Sequence, residues 1–307
     1  MLNKKESALK SGAALAVFSF VLWGITPLYY RLLPGAYPLE MLAQRVLWSV
    51  PLLLLVRPLF SHRTRWKEAW RDKRSILFCL LATAIMAVSW CTFTYALTHG
   101  QVLAASLGYF INPLCSVLLG TLFLRERMSL PQKLAVGFAA AGVAYQLIQY
   151  GQLPALALIM GSAFALYGLA RKFIRFDIIT ALTIETLWLV PLALLITLLL
   201  PIYGESQLAN ADLQTYVYYA LTAPVTLLPL MFFAAAVRRT TLITVGLAQY
   251  IEPTLQFLLA IFLFNEAFDS VKGVSFGLIW IGLLFCVSGM FSQWVRQWKS
   301  KRLAALR

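Results

Sequence analysis

A chain of 307 residues that is 61% hydrophobic and only 12% charged, with a mean hydropathy of +0.77, has too little polar surface to cover a soluble fold. Its bulk must face lipid. The formal net charge of +14 would suit a nucleic-acid binder, but the placement of the basic residues excludes that reading.

Ten apolar stretches approach the roughly 20 residues that a bilayer-spanning helix needs. In chain order they lie near 11–33, 39–58, 75–98, 102–124, 133–149, 153–170, 178–200, 214–236, 241–264 and 273–294. They predict an all-α membrane protein with ten transmembrane helices and no separate soluble domain. The segment MLNKKESALKSG before the first run shows no small-residue cleavage site, so that run is expected to stay as a span.

With the N-terminus inside, the loops alternate in charge. Lys4, Lys5 and Lys10, the loop SHRTRWKEAWRDKR (61–74), Arg125 and Arg127, Arg171 to Arg175, Arg238 and Arg239, and the C-terminal cluster all fall on the inner side. Only Arg31, Lys272 and Arg45, of 26 basic residues, do not. Basic inner loops set membrane orientation and lie on anionic lipid. Both termini are therefore expected in the cytoplasm, with the lipid bilayer as partner and no nucleic acid.

Cys79, Cys91, Cys115 and Cys286 lie in apolar runs without CxxC spacing and read as buried small hydrophobes. His62 and His99 form no ligand cluster, and no phosphate-binding glycine loop occurs, so neither metal nor cofactor is expected.

The chain repeats itself at a shift of 140. RVLWSVPLLLL (45–55) lies over ETLWLVPLALL (185–195), and YFINP (109–113) over QYIEP (249–253). Gly137 and Gly142 meet Gly277 and Gly282, and Glu126 meets Glu266. FVLWG (20–24) matches FALYG (164–168) at a shift of 144. Residues 1–150 and 151–307 are thus expected to be two five-helix repeats. Five spans are odd, so the second repeat enters from the opposite side. A 5+5 inverted repeat of this kind places a site between the halves near mid-depth, as in secondary transporters.

Three charges sit well inside spans: Arg45, Glu185 and Glu252. An ionisable group at the bilayer centre costs about 2.5–3.5 kcal/mol, so each needs a reason. Gln249, Glu252 and Gln256 share a helical face, and their repeat partners Tyr109, Asn112 and Ser116 form the same stripe. Both stripes are expected to face one polar cavity. Pro113 and Pro253 free carbonyls one turn back, which lipid cannot satisfy, and are the expected hinges. Glu252 is the candidate for binding a cationic group or taking up a coupling proton. The plainer alternative is a structural role, paired with Arg45 or protonated and hydrogen-bonded. Arg45 and Glu185 are repeat equivalents of opposite sign and read as candidates for a structural ion pair. Trp90, Thr94 and Tyr95 in SWCTFTYAL, with Trp23 and Tyr167, are further cavity candidates. Aromatic residues in membrane helices also serve packing. Pro224 and Pro229 are expected to bend the eighth span. The small residues of GFAAAGVA and GVSFGLIWIG suit close helix packing or homodimerisation, so monomer and homodimer are both compatible.

Taken together, Pro113 with Glu126, Pro253 with Glu266, and the segments MLAQRVLWSVPLLLL, SWCTFTYAL and SLGYFINPL resemble the EamA branch of the drug/metabolite transporter superfamily, in its RarD-type subgroup. The resemblance covers essentially the whole chain. It implies the drug/metabolite transporter fold and a bacterial inner-membrane permease, usually an exporter of small metabolites. The solutes implied are amino-acid-like compounds or drugs such as chloramphenicol. It also implies a central cavity among the first, third, fourth, sixth, eighth and ninth spans. Alternating access is the expected mechanism and a facilitative, channel-like pore the alternative. An enzyme would need convergent acids, bases or a metal, for which Glu185 with Glu252 is thin support.

Overall fold

The computed structural model describes residues 2–60, 66–99, 101–151, 155–265 and 269–305. Among these residues all regular structure is helical. The helices are α1 (Leu2–Gly24), α2 (Thr26–Tyr30), α3 (Pro38–Phe60), α4 (Trp66–Arg71), α5 (Lys73–Thr98), α6 (Val102–Phe123) and α7 (Leu130–Tyr150). They continue with α8 (Ala155–Arg171), α9 (Ile178–Leu199), α10 (Leu213–Arg239), α11 (Leu242–Gln249), α12 (Ile251–Phe262) and α13 (Ser270–Ala305). Glu266, His62 and most of the first half of the basic loop lie outside the described residues.

All ten apolar stretches are helical where described. Eight are long and apolar enough to cross a bilayer: Ser11–Tyr30, Pro38–Pro58, Lys73–Ala96, Ser106–Phe123, Ile178–Leu199, Leu213–Arg239, Leu242–Phe262 and Ser270–Ser288. The other two, α7 and α8, fall short for different reasons. α8 has 17 residues among those described. α7 has 21 residues, but Gln132, Lys133, Gln146 and Gln149 dilute its apolar run. The chain is an all-α, multi-pass membrane protein.

Local chemistry sets the helix ends. Ser129 and Gln132 form a reciprocal box at the start of α7, and Gly151, at a φ of 66°, closes its end. Asp177 accepts from the Thr180 amide at 2.9 Å to cap α9, and Asp212 accepts from the Thr215 amide at 2.9 Å to cap α10. A buried carboxylate not foreseen from the sequence, Glu40, ties the α9–α10 loop down. It accepts from Ser206 Oγ at 2.5 Å, the Gln207 amide at 2.9 Å and Tyr219 Oη at 3.0 Å.

The helices pack in exchanged pairs. α1 packs on α10 and α12, while α8 packs on α5 and α6. α3 meets α9 and α10, α5 meets α9, α6 meets α11, and α7 meets α13. A β-carbon on Gly142 would stand 2.9 Å from the Ser275 carbonyl, and one on Gly282 would stand 2.9 Å from the Ala135 carbonyl. Rising along α7 from Ala135 to Gly142 therefore means descending α13 from Gly282 to Ser275, so these helices run antiparallel. Ser275 Oγ donates to the Gly142 carbonyl at 2.7 Å across the contact. Gly137 and Gly277, by contrast, meet nothing. Gly142→Leu is accordingly expected to cost about 1–3 kcal/mol by overpacking, and Gly137→Leu close to nothing. Unfolding in detergent checks both.

The cysteines depart from expectation in one respect: Cys91 is exposed on the outside of α5, while Cys79 is buried and Cys115 and Cys286 are partly so. A small apolar thiol is as comfortable against lipid as in the core.

Candidate central cavity

Between the two halves lies a cavity of about 430 Å³. Its walls come from α1 and α2, α5, α6, α8, α10 and α12, with Arg45 from α3 and Lys272 and Phe276 from α13. It reaches the bundle end formed by Thr26, Pro27 and Tyr30 on one side and Ile261, Asp269 and Lys272 on the other. It does not reach the opposite end.

The break at Tyr250 builds the cavity wall. Pro253 has no N–H for the Gln249 carbonyl, so the ninth span divides into α11 and α12 with Tyr250 between them. Tyr250 Oη donates to the Phe110 carbonyl at 3.2 Å and joins the break to α6. α6 itself runs unbroken through Pro113. Beyond the break, Glu252 and Gln256 line the cavity, with Gln256 Nε2 donating to Glu252 Oε1 at 3.3 Å. Before the break, Gln249 turns away: Ser116 Oγ donates to Gln249 Oε1 at 3.0 Å in the interface between α6 and α11.

Of the residues singled out in the sequence, Trp23, Trp90, Tyr109, Asn112, Glu252, Gln256, Arg45 and Pro253 line the cavity. Ser116 and Gln249 bind each other below it. Pro113 is buried beside them. Tyr95 is 48% exposed and stacks on His99 at 3.9 Å, away from the cavity. Tyr167 is fully buried. The sequence reading did not single out Tyr30, Ser89, Phe164 or Thr226, which also line the space. Ser89 and Thr226 are small hydroxyls inside apolar runs, and that was the available signal.

Arg45 and Glu185 do not meet. The Arg45 guanidinium lies 4.0 Å over the Trp90 ring and lines the cavity. Glu185 pairs instead with Arg171, whose Nη1 donates to both carboxylate oxygens at 2.7 Å and to Tyr167 Oη at 2.8 Å. Tyr167 Oη in turn donates to Glu185 Oε2 at 3.2 Å. This triad joins α8 to α9 at the end of the bundle opposite the mouth.

Between cavity and triad stands an aromatic layer. Trp23 meets Phe164 edge to face at 5.8 Å, Phe164 meets Phe233 at 5.4 Å, and Tyr167 stacks on Phe233 at 5.9 Å. Beyond it a clasp closes the bundle. Glu126 Oε1 accepts from the Leu242 amide at 2.8 Å and Oε2 from the Ile243 amide at 2.9 Å, so the carboxylate from the end of α6 caps α11. Lys172 Nζ donates to the Thr240 carbonyl at 2.6 Å and lies 3.9 Å from Glu126.

Comparison with known proteins gives the geometry its family. Residues 10–147 match the model of the EamA-like transporter family. The chain is 40% identical to the uncharacterized transporter YojE of Bacillus subtilis, over 96% of this chain and 99% of that protein. It is 36% identical to protein RarD of Salmonella typhi, over 92% of this chain and 97% of that protein. Among solved structures, one crystal structure superposes with a TM-score of 0.68 at 14% identity, over 94% of this chain and 99% of the other, and so shares the fold. Through its helices, its cavity and these relatives, the chain belongs to the EamA-like transporter family, as a RarD-type permease.

Proposed function

We propose that this transporter moves small metabolites, amino-acid-like solutes or drugs such as chloramphenicol across the bacterial inner membrane, as an exporter, by alternating access around the central cavity. The carrying observation is a cavity with charged and aromatic walls, reaching one end of the bundle and sealed at the other by the aromatic layer and the Glu126 clasp.

The mechanism rests on reading residues 1–150 and 151–307 as inverted five-helix repeats. Its support is the exchanged packing of the helices and the antiparallel crossing of α7 and α13 at Ala135, Gly142, Ser275 and Gly282. These residues are equivalent in pairs at the sequence shift of 140. A twofold relating antiparallel equivalents lies across the helices, hence in the membrane plane. The symmetry lets each half adopt the other's conformation, so that the sealed end opens as the open end seals. With the basic loops inside, both termini are cytoplasmic and the cavity faces outward in this state.

Glu252, at the cavity wall with Gln256 as its one hydrogen-bond partner among the described residues, is the coupling residue in this reading. In liposomes, Glu252→Gln is expected to keep solute counterflow but lose the dependence of net transport on a proton gradient. Transport indistinguishable from the unmodified protein at every gradient would remove Glu252 from the coupling. Counterflow itself tests the carrier: preloaded solute must accelerate entry of labelled solute, which a continuously open pore does not do.

A further inference from the structure

Arg45 is a permanent cation inside a membrane helix, and it forms no ion pair among the described residues. Intramembrane charges without structural partners mark ligand pathways. Its surroundings hold it in place without neutralising it. The guanidinium carbon lies 4.0 Å over the centroid of the Trp90 ring. Arg45 Nε is buried and has no partner. A guanidinium grips a carboxylate with two parallel hydrogen bonds. On the same cavity, Asn112 Oδ1 is a buried acceptor without a partner. Buried polar atoms are nearly always satisfied, so two orphans on residues that line one space point to an occupant. Water would serve each atom singly but would leave the guanidinium charge uncompensated.

We propose that Arg45, held over Trp90, binds the carboxylate of the transported solute and makes the cavity prefer carboxylate-bearing solutes to their neutral or cationic analogues. This rests on the transporter reading of the cavity and names a residue for its selectivity. The Trp90 face holds the guanidinium, two of its nitrogens take the two carboxylate oxygens, and Phe93 and Trp90 flank an attached apolar group.

The test uses three probes on one ring: benzoate, benzamide and benzylamine. Thermal shift on the full-length protein in detergent reads binding. Benzoate is expected to stabilise the unmodified protein at concentrations at least about tenfold lower than the other two. Arg45→Gln is expected to weaken benzoate about ten- to hundredfold, the loss of charge-assisted hydrogen bonds, and to erase the preference. Arg45→Lys keeps the charge but not the fork, so an intermediate preference is expected. Both variants should stay folded without ligand, because Arg45 holds no ion pair among the described residues and what Arg45→Gln removes is the contact with Trp90, worth about 0.5–2 kcal/mol. A carboxylate preference that survives Arg45→Gln, or no preference in the unmodified protein, overturns the proposal. Binding preference without counterflow of any solute would instead overturn the transporter reading and leave Arg45 as an anion site.

Discussion

Glu185→Ala is expected to destabilise the protein by about 3–5 kcal/mol, the typical cost of leaving a buried charge without its partner. Arg171 is only 2% exposed, and its Nη1 reaches both Glu185 oxygens and Tyr167 Oη. Its Nη2 already lacks a partner, so no spare hydrogen bond waits to replace the lost ones. A guanidinium cannot shed its proton to escape the cost. Tyr167→Phe removes two hydrogen bonds, one from the guanidinium and one to the carboxylate, but leaves the ion pair, and is expected to cost about 1.5–3 kcal/mol. The double change Arg171→Met with Glu185→Leu discriminates the mechanism. If the penalty is an orphaned charge, removing both partners should recover most of the loss. Chemical unfolding in detergent measures all three. A single-site loss under about 1 kcal/mol would mean that water or lipid headgroups reach the triad.

Glu126→Gln is expected to loosen the sealed end. The carboxylate takes the first two amides of α11, one on each oxygen, at a helix N-terminus where negative charge is favoured. The amide replacement keeps one acceptor oxygen and loses the charge, weakening hydrogen bonds that contribute roughly 1.5–3 kcal/mol when charge-assisted. That range shifts a two-state population about ten- to hundredfold. A cysteine at Val117, now 4% exposed inside the seal, should then be labelled at least about tenfold faster by a water-soluble thiol reagent. Glu126→Asp, which keeps the charge on a shorter arm, should fall between. Equal labelling in all three proteins would show that the clasp does not hold the seal.

Much of this fold was legible in the sequence, because length and apolarity decide a membrane helix and ten such runs are hard to miss. The limits of the reading have physical causes. Arg45 and Glu185 look like partners because they are repeat equivalents of opposite sign, yet Arg171 holds Glu185. Arg171 ends α8, where a basic residue reads as an orientation signal, and nothing local reveals that it tucks under α9. Gln249 and Glu252 share a helical face only if the helix is continuous. Pro253 breaks it between them, so one residue faces Ser116 and the other the cavity. Pro113 carries the same missing N–H, but α6 continues through it, with Tyr250 Oη bonded to the Phe110 carbonyl. A polar stripe marks a cavity when its members have no partners; sequence alone cannot tell that case from polar groups that satisfy each other.

The most direct measurement locks the sealed end. In a background without the native cysteines, a pair at Gly120 and Leu242 would bring β-carbons 3.2 Å apart, within a small backbone adjustment of the roughly 3.5–4.5 Å that a disulfide spans. Counterflow in liposomes is then compared before and after reduction. The account predicts that the oxidised protein exchanges no solute and that reduction restores exchange, because the seal between α6 and α11 must part in every cycle. Undiminished exchange by the fully oxidised protein would contradict it.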